Sequence, residues 1–207
     1  MIRSNLNSDK YIQAGLDIGS DKICCAISEI DLKSDTVKLL GLGNSQATSI
    51  NRGAITHRDN LIDEIEYAID EASTMSGVSI ENLSLGISGE HIRGINTQGA
   101  IAIGGSQASN VSLQNEITKN DVKKVLELAK AISLPMDRDI LHVLPQEYVI
   151  DTMNSIKDPV GLTGRRLEAK VHVITVATTA ATNLVSCVEE LGIRVENIIY
   201  QGLASSL

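Results

Sequence analysis

Between residues 15 and 28 an apolar run ends in a carboxylate, and a glycine, a hydroxyl and a lysine follow before a second β-rich run begins. The order is Gly15-Leu16-Asp17-Ile18-Gly19-Ser20-Asp21-Lys22, then Ile23-Cys24-Cys25-Ala26-Ile27-Ser28. Each residue type has chemistry to offer beside a phosphate. Gly19 lets the backbone turn tightly and approach an anion without interference from a Cβ, Ser20 supplies a backbone N–H and a hydroxyl, and Lys22 supplies positive charge. Asp17, at the strand end, is placed to hold the waters around a magnesium ion, which prefers octahedral oxygen ligation and gives up water reluctantly. The same residue types also make an ordinary β-hairpin, because Gly, Ser and Asp are common turn residues. The stretch has neither the glycine spacing of a Walker loop nor that of a dinucleotide fingerprint, and it leads into a strand rather than a helix.

Those residues need strands to hold them, and the pattern supplies three in succession. Tyr11 to Asp17, Lys22 to Ile30 and Val37 to Gln46 read as a meander, preceded by a polar, frayed stretch from Met1 to Lys10. A helix follows from about Arg58 to Ser76, with Leu61, Ile62, Ile65, Ala68, Ile69 and Ala72 on one face and Asp59, Asp63, Glu66 and Asp70 on the other. Leu83 to Ser88 and Ile92 to Ile103 read as strands whose glycines (Gly86, Gly89, Gly94, Gly99) point to bulges and close backbone approach, ending in Gly104-Gly105-Ser106. Thr118 with Asp121 three residues on reads as a capping box opening a second helix, with Val122, Val125, Leu126, Ala129 and Ile132 buried and Leu134-Pro135 as its end. Strands Ile140 to Leu144 and Glu147 to Asp151, a loop from Thr152 to Gly164, a buried strand from Leu167 to Thr178, a helix from about Ala180 to Leu191 and a strand from about Val195 to Gln201 complete the reading. This order suggests an α/β domain interrupted by a smaller α+β insert.

Composition narrows the function classes. The 207 residues carry a net charge of -8, and their aromatic residues are Tyr11, Tyr67, Tyr148 and Tyr200. No basic face and no clustered stacking platforms are present, which argues against nucleic-acid binding. No apolar run approaches membrane-spanning length and no signal-peptide pattern opens the chain, so the cytosol is the expected compartment. Cys24 and Cys25 are strand neighbours pointing to opposite faces, and Cys187 lies in a distant helix. All three read as small core or near-core residues, because no metal-ligand spacing accompanies them. His91 reads as part of a turn, and His142 and His172 as strand residues with satisfied rings.

The run His142-Val143-Leu144-Pro145-Gln146-Glu147-Tyr148-Val149-Ile150-Asp151, then Lys157-Asp158-Pro159-Val160-Gly161, then Gly164 with Arg166-Leu167-Glu168, resembles the FtsA family of bacterial cell division proteins. Asp17-Ile18-Gly19-Ser20, Gly53-Ala54-Ile55, Ser88-Gly89 with His91-Ile92, and Ile117-Thr118 with Asp121-Val122 extend the resemblance across essentially the whole chain. It implies an actin-like, ribonuclease H-like first lobe interrupted by an α+β insert of the FtsA type, with residues 1–83 and 164–207 forming the lobe and 84–163 the insert. It further implies a scaffold rather than a metabolic enzyme, with ATP and magnesium held between two lobes and any ATPase activity weak. Gly19, Ser20 and Lys22 would be phosphate contacts, and Asp17 would hold magnesium through water. Implied partners are FtsZ, further copies of the protein in filaments, and the cytoplasmic tails of later division proteins at residues 84–163, with the full-length protein peripheral on the cytoplasmic face of the inner membrane.

This chain departs from the family pattern in three ways. It stops at Ala204-Ser205-Ser206-Leu207, before the place where the family carries a second phosphate hairpin. The resemblance therefore puts the adenosine pocket, the FtsZ-binding face and a lipid-touching terminal helix outside it, and nucleotide binding by this chain is expected to be weak. Asp21 places a second carboxylate beside the phosphates and is left out of the contacts. Arg165 stands where the family more often has a small or apolar residue. Two alternatives remain, a pilus-assembly relative with a similar insert and a small-molecule kinase of the wider actin-like superfamily. The kinase needs a carboxylate base, and its candidates Asp151 and Asp158 both fall in the insert-like segment.

Overall fold

The computed structural model describes residues 9–104 and 116–206. The frayed stretch read at the start, up to residue 8, and Gly105-Ser106 lie outside them. In chain order the elements are β1 (Lys10–Ile18), β2 (Lys22–Asp31), β3 (Thr36–Gln46), β4 (Ile50–Asn51), β5 (Ala54–Ile55), α1 (Arg58–Ser76), β6 (Asn82–Ile87) and β7 (Ile92–Ala102). These are followed by α2 (Lys119–Lys130), β8 (Arg138–Ile150), β9 (Met153–Ile156), β10 (Arg166–Ala177), α3 (Thr178–Glu189), β11 (Arg194–Tyr200) and α4 (Gln201–Ala204).

Two compact units divide the chain, one running up to Ile92 and resuming at Val176, the other spanning Arg93–Thr175. The first is built on a five-stranded sheet in the order β11-β6-β1-β2-β3. The meander expected from the sequence is there, with β1, β2 and β3 antiparallel in turn, while β6 runs parallel to β1 and β11 parallel to β6. Alternation along β1 and β2 sends Leu16, Ile18, Ile23, Cys25 and Ile27 into the core. Helix α1 packs over β2 and β3, burying Leu61, Ile65, Ala68, Ile69 and Ala72 and leaving Asp59, Asp63, Glu66 and Asp70 exposed. Gly43 brings strand and helix together: a Cβ there would lie 1.9 Å from the Ala68 carbonyl oxygen. Gly77, in the left-handed conformation at φ 68°, ends the helix by donating its N–H to Ser73 O at 2.8 Å.

The second unit has a four-stranded sheet in the order β7-β10-β8-β9. Its core gathers Tyr148, Ile150, Leu167, Ala169, Val171 and Val173 from the strands with Val125 and Ala129 from α2. Thr118 and Asp121 form the expected capping box, with Thr118 N–H donating to Asp121 Oδ2 at 3.1 Å and Asp121 N–H to Thr118 Oγ1 at 3.3 Å.

Several expectations need correction. Residues 84–87 belong to the first unit, because Ser84 to Ile87 pair with Gly15 to Ile18. Residues 166–175 belong to the second, because β10 is hydrogen-bonded between β7 and β8. The insert therefore lies at Arg93–Thr175 rather than 84–163, since a cut after residue 83 splits β6, which is paired with β1 and β11, and a cut after residue 163 takes β10 away from between β7 and β8. Helix α2 ends at Lys130, before Leu134-Pro135. The two strands expected around Pro145 are one, β8, and the expected loop contains β9. β9 pairs with β8 only at Tyr148 and Ile150, so Pro145 removes no ladder bond to β9.

Candidate functional site

Asp17 is the penultimate residue of β1, opposite Cys24 on β2 and in register with Gly86 on the parallel strand β6. It points away from the core that holds Leu16 and Ile18, and with Cys24, Gly86, Ile199 and Gln201 it lines a cavity of about 370 Å³. Asp17 Oδ2 accepts a hydrogen bond from Gln201 Nε2 at 2.8 Å. Its other oxygen, Oδ1, is buried and has no hydrogen-bond partner among the described residues. Gly86 leaves room for it, as a Cβ there would stand 3.0 Å from Oδ1. Burial pushes the Asp17 carboxyl up from its ordinary value, while the Gln201 hydrogen bond and the charge of Lys22 pull the other way.

The turn after β1 closes when Gly19 N–H donates to Lys22 O at 3.1 Å. The N–H of Gly19 is thus used within the hairpin, and a Cβ at this position would come 2.9 Å from the Lys22 carbonyl oxygen. Ser20 and Lys22 are exposed at the tip. Ser20 Oγ accepts from Gly53 N–H at 3.2 Å, which attaches the turn between β4 and β5 to the hairpin. Asp17, Gly19, Ser20 and Lys22 therefore gather at one place, outside the carboxyl ends of the parallel strands β1 and β6, where α/β sheets bind ligands.

The other singled-out residues lie elsewhere. Cys25 and Cys187 are buried and Cys24 is half-buried. His172 Nδ1 lies 2.6 Å from Asn96 Oδ1 in the second unit. Among the described residues no three His, Cys, Asp or Glu side chains form a metal cluster, so a cation at Asp17 would draw its remaining ligands from water or from a bound ligand. Sequence reasoning missed Gln201 and Gly53. Gln201 is 184 residues from Asp17 and reaches it only because β11 lies parallel beside β6, a pairing that no local pattern announces.

Residues 89–175 match a family described as the SHS2 domain inserted in FTSA. The chain is 39% identical to the cell division protein FtsA of Borreliella burgdorferi over 192 residues, which cover 93% of this chain and 45% of that protein. It is 36% identical to the FtsA of Pseudomonas aeruginosa over 203 residues, covering 98% of this chain and 46% of the relative. A solved structure titled as the PilM-PilN type IV pilus biogenesis complex superposes with a TM-score of 0.59 at 14% identity, over 93% of this chain and 48% of that one, a likeness of fold. Fold and insert together define the class, an actin-like α/β lobe carrying an SHS2 insert. Within that class the chain belongs to the FtsA family, and it spans a little under half the length of the curated relatives it matches.

Proposed function

We propose that this chain forms the phosphate-gripping portion of an actin-like cell-division scaffold that uses ATP as a switch rather than as a substrate for metabolism. The observation that carries the reading is the Asp17 carboxylate, with one oxygen held by Gln201 and the other buried without a partner beside Lys22 and the Gly19 turn. An orphan carboxylate oxygen next to a lysine suits a hydrated magnesium ion and a phosphate. When bound, magnesium would neutralise phosphate charge. Asp17 would orient its water shell, Lys22 and the Ser20 hydroxyl would contact phosphate oxygens, and Gly19 would keep the turn tight. Adenosine recognition, FtsZ binding and attachment to the cytoplasmic face of the inner membrane would fall to parts of the longer relatives that this chain does not span. Self-association and docking of division-protein tails are assigned to the insert.

Titration with ATP and magnesium tests the reading. Binding is expected to be weak, in the high micromolar range or above, because the absent contacts would each contribute about 1.5–3 kcal/mol as charge-assisted hydrogen bonds. Lys22→Ala should weaken it a further tenfold or more on the same scale. Submicromolar affinity in this chain, or affinity indifferent to Asp17→Asn and Lys22→Ala, contradicts the assignment. In cells, depletion of the full-length protein should give filaments of undivided cells, whereas loss of pili alone would favour the pilus reading.

A further inference from the structure

Three loops meet beyond the ends of β1 and β6, and their contacts form a chain. The hairpin Gly19–Lys22 holds the β4–β5 turn through Ser20 Oγ, which accepts from Gly53 N–H at 3.2 Å. That turn is in the left-handed conformation at both central residues, Arg52 at φ 51° and Gly53 at φ 81°. On its far side it meets the loop after β6, where Glu90 N–H donates to Arg52 O at 3.2 Å. The two glycines lie backbone to backbone. A Cβ on Gly53 would come 2.2 Å from Ser88 O and 2.8 Å from Gly89 Cα, and one on Gly89 would come 2.5 Å from Arg52 O and 2.7 Å from Gly53 Cα. The insert departs from the chain three residues after Glu90, at Arg93.

We propose that the Arg52–Gly53 turn is a positioning element of the phosphate site, and that it passes the state of Ser20 to the Ser88–His91 loop from which the insert departs. The inference rests on the nucleotide reading above. Its physical basis is the donor and acceptor count of one hydroxyl. Ser20 Oγ already accepts from Gly53, so its own proton is the one it has to give, and a phosphate oxygen is the acceptor the hairpin would bring. A hydroxyl that donates to an anion becomes a better acceptor, so loading the hairpin strengthens the hold on Gly53 N–H. Gly53 and Gly89 meet backbone to backbone with the His91 ring against both, so a shift of one presses directly on the other. Arg52 and Glu90 also pair through their side chains at 3.2 Å, but both are exposed, so the coupling rests on the backbone.

Amide hydrogen exchange on the full chain tests this in two arms. Without nucleotide, Ser20→Ala should speed exchange several-fold in residues 50–55 and 88–92 relative to wild type, while β9 and α2 stay unchanged. With ATP and magnesium near saturation, wild type should be protected in residues 19–22, 50–55 and 88–92 together. Ser20→Ala also loses a phosphate contact and binds more weakly, so it is read at ATP raised until 19–22 is protected, where 88–92 should stay unprotected, and Ser20→Thr should restore both. Protection at 19–22 with none at 88–92 in wild type overturns the proposal and leaves the nucleotide reading standing. No protection at 19–22 overturns the nucleotide reading and the coupling with it. An unchanged nucleotide-free pattern in Ser20→Ala overturns the tie itself.

Discussion

Asp17 and the cysteines show how position along a strand decides reactivity. Because burial raises the Asp17 carboxyl above its ordinary value, folding favours its protonated form. Its contribution to stability is then fully present below the ordinary carboxylate value near 4 and is lost as pH rises through the raised folded value. Thermal melts of wild type and Asp17→Asn should diverge across that interval, with the variant equal or more stable at neutral pH and the wild type gaining on it in acid. A variant that melts lower at pH 7 would mean that the charged carboxylate is well solvated. Cys24 and Cys25 are adjacent, but alternation buries the second completely and pushes its thiol up to about 12. Thiol labelling of the native chain should therefore modify Cys24 at least about tenfold faster than Cys25 or Cys187, since the thiolate is the reactive form and needs access. Comparable rates at all three would mean that the sheet opens as readily as its surface breathes.

At the scale of elements, the capping box and the strand–helix contact carry separable contributions. Thr118→Ala should cost about 1 kcal/mol in urea unfolding of the insert, the usual worth of an N-cap. The hydrogen bonds from Thr118 hold the Asp121 carboxyl below its ordinary value, so the carboxylate's own share of the capping box is present above about pH 4 and lost as pH falls through the lowered folded value, while the Thr118 cap to Asp121 N–H does not titrate. Gly43→Ala should destabilise by about 2 kcal/mol or more, because its Cβ would meet the backbone oxygen of Ala68, which cannot step aside as a side chain would. Gly15→Ala has nothing within 4 Å of its Cβ and should be tolerated. What could be read from the sequence follows the same physics. Helix α1 was legible to its ends because five buried residues keep the helical period and Gly77 stops it. The capping box was legible because it is local. The end of α2 was not, since Pro135 is a stronger signal than the unremarkable Ala131 where the helix stops. The Asp17–Gln201 bond and the Gly53–Gly89 contact depend on which strands become neighbours and on loop closure, so local spacing could reveal neither.

For the whole molecule, the question is where one folding unit ends and the other begins, and the buried residues of β10 decide it. Leu167, Ala169, Val171 and Val173 are all 1% exposed or less, and they form the centre of the insert's core. A cut at residues 84–163, which follows the glycine-rich return loop, removes all four and keeps Ser84 to Ile87, whose partner strand β1 is then missing. A cut at Arg93–Thr175 keeps the four-stranded sheet, α2 and every residue of that core. Loss of four buried side chains, at about 1.5–3 kcal/mol for each large one, exceeds the stability of a unit this small. The 93–175 piece should therefore fold alone, with dispersed amide resonances and a single cooperative melt, while the 84–163 piece should show neither. If both pieces were unfolded, the insert would depend on the lobe for its stability. If the shorter piece folded, β10 would be dispensable to a core that it fills.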